Sequence, residues 1–187
     1  ISNDEESYYY PGVDSPEKDY QGNFTTGEFI TEFESISSGA SDSIPVSIHD
    51  LKLGSYIVMN LRPCKITSIK VVKIGKHGHA KASIVAEDIF NEKKYEEVCP
   101  ASQTKYAPIV KREEYTLLTY DVEGYASLMN SKGCIREDLK LPTETDTDMK
   151  VLNKIKVGLE EDKVMMITVL SAMGIEKIED AKPSTEN

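Results

Sequence analysis

The sequence predicts a mainly β protein made of two small barrels and one helix. From Val46 onward, short β-branched runs are separated by Gly, Pro and Asn, which is typical of strands joined by tight turns. Only residues 145–159 show a convincing helical pattern. A length of 187 residues suits one ordinary domain or two small ones. We divide the chain into segments 1–45, 46–111, 112–174 and 175–187.

Residues 1–45 are predicted to form a mobile acidic tail. They carry ten acidic residues and one lysine, a net charge of −9, and show no sustained period of 2 or 3.6 residues. Too little apolar surface is present to offset the entropy lost on ordering. Because the first residues resemble no secretory signal and no apolar run approaches the roughly 20 residues of a membrane span, we expect a soluble intracellular protein without membrane contact.

Residues 46–111 are predicted to form the first barrel. Residues 56–60 have strand composition and lead into a turn-like Asn60-Leu61-Arg62-Pro63. Residues 64–72 alternate, with Ile66 and Lys70 on one side and Ile69 on the other. We place the junction with the second barrel between Pro108 and Lys111.

Residues 112–174 are predicted to form the second barrel, compatible with the OB type. Residues 115–120 and 125–129 bracket a turn at 121–124, which indicates a hairpin. Residues 164–170 have the composition of a buried strand. The tail 175–187 is expected to be partly helical and then frayed.

Residues 145–159 are predicted to form the helix. Thr145 can cap its first turn. Met149, Leu152 and Ile155 recur every three residues and would face the core, and Gly158 can end the helix.

The three cysteines, Cys64, Cys99 and Cys134, are too few and too scattered for a disulfide framework or a CxxC metal site. We expect reduced, mostly buried thiols, because free cysteine is usually a core residue.

Charge is distributed unevenly along the chain. The total is −10, yet residues 46–111 sum to +5 and residues 112–187 to −6. A basic segment in an acidic chain can attract a polyanion, although a solvated surface explains the same charges.

Residues 73–81 carry the strongest chemical signal. They concentrate three lysines, two histidines and two glycines: Lys73, Lys76, Lys81, His77, His79, Gly75 and Gly78. Glycine permits positive φ, so the two glycines can shape a hairpin tip from which Lys76 projects.

Several readings of this segment compete. It fits neither phosphate-binding glycine motif, because a strand and not a helix follows. No nearby cysteine or carboxylate completes a metal site around His77 and His79, and no nucleophile–base constellation is evident. We therefore predict no metal, no cofactor and no catalytic residue; from the residues alone, a plain basic loop stays possible.

The run Gly75-Lys76-His77-Gly78-His79-Ala80-Lys81 resembles the hypusine loop of the eukaryotic translation factor 5A family, a relative of bacterial elongation factor P. The resemblance covers about residues 46–173. It includes further matching segments in the same order: Arg62-Pro63-Cys64-Lys65-Ile66, Asp88-Ile89-Phe90, Lys93-Lys94-Tyr95-Glu96, Cys99-Pro100, Lys111-Arg112, Arg136-Glu137-Asp138-Leu139-Lys140-Leu141-Pro142 and Ile167-Thr168-Val169-Leu170-Ser171-Ala172-Met173.

This resemblance implies an SH3-like barrel at 46–111 that carries the loop, followed by an OB-fold at 112–174. It implies that Lys76 is modified: deoxyhypusine synthase transfers an aminobutyl group from spermidine in an NAD-dependent reaction, and deoxyhypusine hydroxylase completes hypusine. The chain would be the substrate of these enzymes and not itself an enzyme.

The resemblance further implies a cytoplasmic factor, with the nucleus left open as a second location, that binds the ribosome near the E site. Modified Lys76 would position P-site transfer RNA, promote peptide bond formation at stalling sequences such as proline runs, and assist termination. Lys73, Gly75, His77, Gly78, His79 and Lys81 would support the modification and contact transfer RNA or ribosomal RNA.

Two alternatives stay open at this point. A self-assembling paralogue of the same fold, of the Woronin body type, lacks the modifiable lysine loop that this chain retains. An unmodified RNA-binding module would need no hypusine. One residue departs from the family pattern: Ile74 stands where a small polar residue is usual.

Overall fold

The computed structural model describes residues 42–73, 75 and 78–184. Within them the elements are, in chain order, β1 (Ser43–Ser47), a 3₁₀ turn (Ile48–Asp50), β2 (Tyr56–Met59), β3 (Arg62–Lys73), β4 (Ala80–Asp88), β5 (Lys94–Pro100), β6 (Thr104–Pro108), β7 (Lys111–Tyr120), β8 (Tyr125–Met129), β9 (Ile135–Lys140), α1 (Asp146–Glu160), β10 (Met165–Ala172) and β11 (Ile175–Pro183). None of the helical segments in this part of the chain is long and apolar enough to cross a membrane.

The first barrel is built from β1 to β6. Strands β2, β3, β4 and β5 form an antiparallel sheet in that order, and β1 pairs with β6 in a separate two-stranded sheet. Asn60 and Leu61, both at positive φ, form the two-residue turn between β2 and β3. This confirms the first half of the predicted turn, whereas Arg62 and Pro63, predicted with it, are the first residues of β3. The core consists of small and branched apolar side chains: Ile48, Leu51, Ile57, Met59, Cys64, Ile66, Ala82, Ile84, Ala86 and Cys99.

Strict alternation along β3 was a wrong expectation. The ladder with β4 shifts register between Ile66 and Ser68, which leaves Thr67 as an extra, bulged residue. Ile66 is therefore buried and Ile69 packs against the same core, although the two are three residues apart. The bulge lets one strand present apolar residues to the barrel interior on both sides of the bend.

The second barrel contains one five-stranded antiparallel sheet in the order β11-β10-β7-β8-β9. The predicted hairpin between residues 115 and 129 is confirmed as β7–β8. Its turn is held by Asp121, whose side chain accepts hydrogen bonds from the backbone N–H groups of Glu123 (2.9 Å) and Tyr125 (2.8 Å). The core gathers buried residues from all five strands and the helix: Tyr115, Leu117, Ala126, Leu128, Leu139, Leu141, Val151, Leu152, Ile155, Met165, Ile167, Val169, Ile178 and Ala181.

The helix α1 begins where the sequence predicts, with Thr145 as its N-cap. Two details of the prediction are wrong. Met149 is 51% exposed, and the buried stripe is formed by Val151, Leu152, Ile155 and Gly158, which is the i, i+1, i+4, i+7 spacing of a helix face. Gly158 does not end the helix, which continues to Glu160. The role of this glycine is instead to leave space for the side chain of Met165, which a Cβ at position 158 would overlap.

Two segment boundaries also differ from expectation. Residues 43–45, predicted as part of the tail, belong to β1, while residues 1–41 lie outside the described residues. The segment after Gly174 is not helical: Ile175–Pro183 is strand β11, which pairs with β10 on both sides of a bulge at Glu179. No sequence pattern indicated this strand because most of its residues are polar, and only Ile178 and Ala181 among the residues of β11 are buried.

The two barrels belong to one compact unit, residues 39–187. Between them lies a small apolar cluster in which Phe90, from the turn after β4, packs with Leu170 and Ala172 of β10. Ile89, Val110 and Ile175 extend this cluster as partly buried neighbours. The end of β4 is thereby in contact with the second barrel.

Candidate functional site

The candidate site is the turn between β3 and β4. These strands pair antiparallel from Cys64↔Asp88 to the last pair, Lys73↔Ala80, so residues 74–79 close the hairpin. Ala80 is held on its other side as well, since its carbonyl oxygen accepts the N–H of Ala101 (2.9 Å). The chemistry-rich segment of the sequence therefore sits at the end of a well-paired ladder.

One of the two glycines of this turn, Gly75, fits its predicted role. Gly75 is exposed and has φ +77°, a conformation that other residues rarely adopt. A Cβ there would meet nothing within 4 Å, so the requirement is conformational and not steric. The predicted modification site Lys76, its neighbour His77, and Ile74 lie outside the described residues.

The stem below the turn is basic. Lys73, His79 and Lys81 are exposed, as expected for contacts with a polyanion, and Gly78 is partly buried. Lys70 is an exposed cation that the sequence interpretation missed. Its cross-strand partner is Ser83, and the next pair on the same face is Val72 with Lys81. The available signal was its place on the predicted strand at residues 64–72, three residues before Lys73.

The other end of the hairpin is anchored by a buried carboxylate. Asp88 is 1% exposed and accepts hydrogen bonds from Arg62 Nε (2.6 Å) and from the backbone N–H groups of Phe90 (2.8 Å) and Asn91 (3.3 Å). The hydrogen bond to Asp88 raises the pKa of Arg62 above its ordinary value, while partial burial opposes this shift. Since Arg62 begins β3 and Asp88 ends β4, this pair ties the two strands together at the base of the hairpin.

The cysteines of the first barrel do not supply a nucleophile. Burial raises the pKa of Cys64 to about 11, and it raises the pKa of Cys99 as well. Thiolate is the reactive form, so both side chains are inert near neutral pH. Cys134 in the second barrel is exposed, so two of the three free thiols are buried, which confirms the expectation of mostly buried thiols.

Comparison with known proteins decides the family. Residues 41–103 match the family model described as "Translation initiation factor 5A-like, N-terminal", and residues 109–182 match "Eukaryotic elongation factor 5A hypusine, DNA-binding OB fold". The chain belongs to the translation factor 5A family. The predicted resemblance and the two-barrel, mainly β fold with an OB-fold second barrel are thus confirmed.

Individual relatives of the translation factor 5A family agree. The chain is 43% identical over 145 residues to eukaryotic translation initiation factor 5A-2 of Schizosaccharomyces pombe, covering 78% of this chain and 82% of that protein. It is 41% identical over 150 residues to factor 5A-1 of Arabidopsis thaliana, covering 80% and 92%. These relatives are named translation initiation factors, which supports a role in translation for this chain.

Solved structures of translation factor 5A proteins match the fold. A family protein from Naegleria fowleri superimposes with a TM-score of 0.69 at 45% identity, covering 75% of this chain and 99% of that one. The factor from Methanococcus jannaschii gives a TM-score of 0.58 at 28% identity, covering 75% and 96%.

Proposed function

We propose that Lys76 is converted to hypusine and that the modified side chain acts on the ribosome. The observation that carries this proposal is the placement of residues 74–79 beyond the last ladder pair, Lys73↔Ala80, of a hairpin whose stem exposes further cations. An enzyme that modifies Lys76 needs access to its side-chain amine, and a turn beyond the end of a ladder can provide that access. Deoxyhypusine synthase and deoxyhypusine hydroxylase are the partners we infer for this step, with spermidine as the donor.

Hypusine changes the reach and the charge of the side chain. Lysine offers one ammonium on a flexible four-carbon stem. The aminobutyl extension keeps that nitrogen as a secondary amine and adds a second amine four carbons further on. The product is a thin rod with two positive charges, suited to a narrow crevice lined by phosphates.

The phosphate backbone of RNA is the target we infer. Neutralising phosphates releases bound counterions, which favours association and makes it depend on salt. Entering from the E site, the rod would lie beside the acceptor end of P-site transfer RNA, with Lys73, His79 and Lys81 as additional contacts. Holding two reactants in a reactive geometry lowers the barrier to their reaction, so the effect should be largest for poorly placed substrates such as proline runs, and it extends to termination.

The second barrel would dock on the ribosome while the first delivers the loop. Its segment, residues 112–187, has a net charge of −6, so we infer that only one face approaches ribosomal RNA and that ribosomal protein contributes to the contact. Because translation elongation takes place in the cytoplasm, we infer that the protein acts there.

The experiment compares protein made with and without the two modifying enzymes. In a reconstituted system that translates a proline run, we expect the hypusine-containing protein to relieve the stall and the unmodified protein to leave it. Equal stimulation by both forms would refute the role of the modification and favour an unmodified RNA-binding module.

A further inference from the structure

A lysine of the last strand joins the two barrels. Lys177 lies in β11, and its side chain is only 19% exposed. Its Nζ donates a hydrogen bond to the backbone carbonyl oxygen of Phe90 (2.6 Å) and lies 2.6 Å from Oδ1 of Asp148. Phe90 follows β4 of the first barrel, and Asp148 belongs to the first turn of α1 in the second. One ammonium therefore contacts both barrels.

The carboxylate that faces Lys177 is fixed in place by the helix. Oδ2 of Asp148 accepts the backbone N–H groups of Glu144 and Thr145, both at 3.1 Å. The Thr145 hydroxyl in turn accepts the N–H of Asp148 (3.1 Å), which completes a capping box. The two carboxylate oxygens thus have separate tasks: Oδ2 caps α1, and Oδ1 pairs with Lys177.

The Phe90 side of the contact is equally constrained. Its backbone N–H is bound by Asp88, and its ring is buried against Leu170 and Ala172. A series of hydrogen bonds therefore links Arg62, Asp88, the backbone of Phe90 and Lys177. Asp88 is the last residue of β4, and the turn at residues 74–79 precedes the first residue of that strand. A shift of these hydrogen bonds would therefore change the direction in which the hairpin points.

Open space borders the contact. A cleft of about 550 Å³ and another of about 320 Å³ both have Asp148 and Lys177 in their lining. Arg112 bridges the barrels nearby, through Tyr56 OH (3.2 Å) and Glu179 (2.6 Å), but its side chain is 43% exposed. Exposed pairs contribute little because water and salt screen them, so Lys177 is the better protected of the two bridges.

We propose that Lys177 is a positioning residue that holds the first barrel, and with it the hairpin β3–β4, at a fixed angle to the second barrel. This inference rests on the proposed function: while the second barrel is docked on the ribosome, the angle between the barrels sets the direction of the turn that carries Lys76. Loss of the ammonium leaves the small cluster around Phe90 as the main buried contact between the barrels, and the two clefts beside Lys177 leave room for the barrels to pivot.

The test measures the distance between the barrels in the full chain. One spin label is attached to Cys134 in the second barrel and another to the cysteine introduced by Glu96→Cys, at an exposed site in β5. Double electron–electron resonance then measures the distance between the two labels. We expect a narrow distribution for the parent protein and a broadened or shifted one for Lys177→Met. The matched control is Lys154→Met, which removes an exposed lysine whose partner, Asp180, is in the same barrel; it should leave the distribution unchanged.

A second variant keeps the test decisive should Lys177→Met not fold. Asp148→Asn retains an amide oxygen for the helix cap but loses the charge that holds Lys177, and it should broaden the distribution as well. Unchanged distributions in folded variants, even with a lower melting temperature, would overturn the positioning role. The measurement needs neither hypusine nor ribosomes, so broadening in a protein that never relieves stalling would support the positioning role and refute the proposed function.

Discussion

Gly78 donates its backbone N–H to the carbonyl oxygen of Gly75 across 3.4 Å, and these two glycines enclose Lys76 and His77 in the chain. This hydrogen bond is longer than usual and therefore contributes little to the stability of the turn. What restrains the turn is the ladder below it, which ends at Lys73↔Ala80. The described residues thus give the turn a firmly held base, with a glycine on each side of Lys76 and His77 in the sequence.

The first prediction concerns Lys76→Arg. We expect the free energy of unfolding to change by less than about 0.5 kcal/mol, because residue 76 falls in the chain between the last paired residues, Lys73 and Ala80, and both side chains are cationic. Stimulation of a proline-run reporter should be lost, since a guanidinium does not accept the aminobutyl group. Lys94→Arg, at an exposed position of β5 near the other end of the hairpin, is the control and should keep full activity. Full stimulation by Lys76→Arg would refute the assigned role.

Gly158→Ala should destabilise the protein, although alanine is the better helix former. A Cβ at this position would lie 2.2 Å from Sδ of Met165, which is itself 1% exposed. We expect a loss of about 1–3 kcal/mol from overpacking, whereas the same change in an open helix gains about 1 kcal/mol. Urea unfolding measures the difference, with the exposed helical substitution Asn153→Ala as control; a stabilised Gly158→Ala would show that Met165 repacks freely.

Asp88→Ala should loosen the base of the hairpin. It removes the acceptor of two backbone N–H groups and the partner of Arg62, for which we expect a loss of about 2 kcal/mol or more. Asp88→Asn keeps an acceptor for Phe90 and should lose less. Thermal unfolding measures the melting temperatures, which should fall in the order parent, Asp88→Asn, Asp88→Ala. Equal stability of the alanine variant and the parent would contradict the anchoring role.

Thiol labelling should distinguish the three cysteines. In folded protein at pH 8 we expect one thiol, Cys134, to react, because Cys64 and Cys99 are buried. Burial disfavours the thiolate, so the pKa of Cys64, about 11, keeps it protonated as the pH rises through 9. All three should react in denaturant. Rapid reaction of two or three thiols in the folded state would contradict the packing of the first barrel.

The sequence predicts the architecture well where a signal is local. The β7–β8 hairpin and the Thr145 cap follow from short-range chemistry, and the family follows from the loop at residues 75–81 and the motifs around it. Three features depend on distant partners and were missed. Thr67 is a bulge only in relation to β4, Gly158 is required only because Met165 packs on it, and the polar β11 becomes a strand only through pairing with β10. Lys177 belongs to the same class, since nothing near it in sequence indicates Phe90 or Asp148.

The mass of the peptide containing Lys76, isolated from cells that make the protein naturally, tests the central claim most directly. We predict that Lys76 carries an added hydroxylated aminobutyl group, localised to its side chain by fragmentation. Unmodified lysine at this position, in protein that still relieves ribosome stalling, would contradict the account.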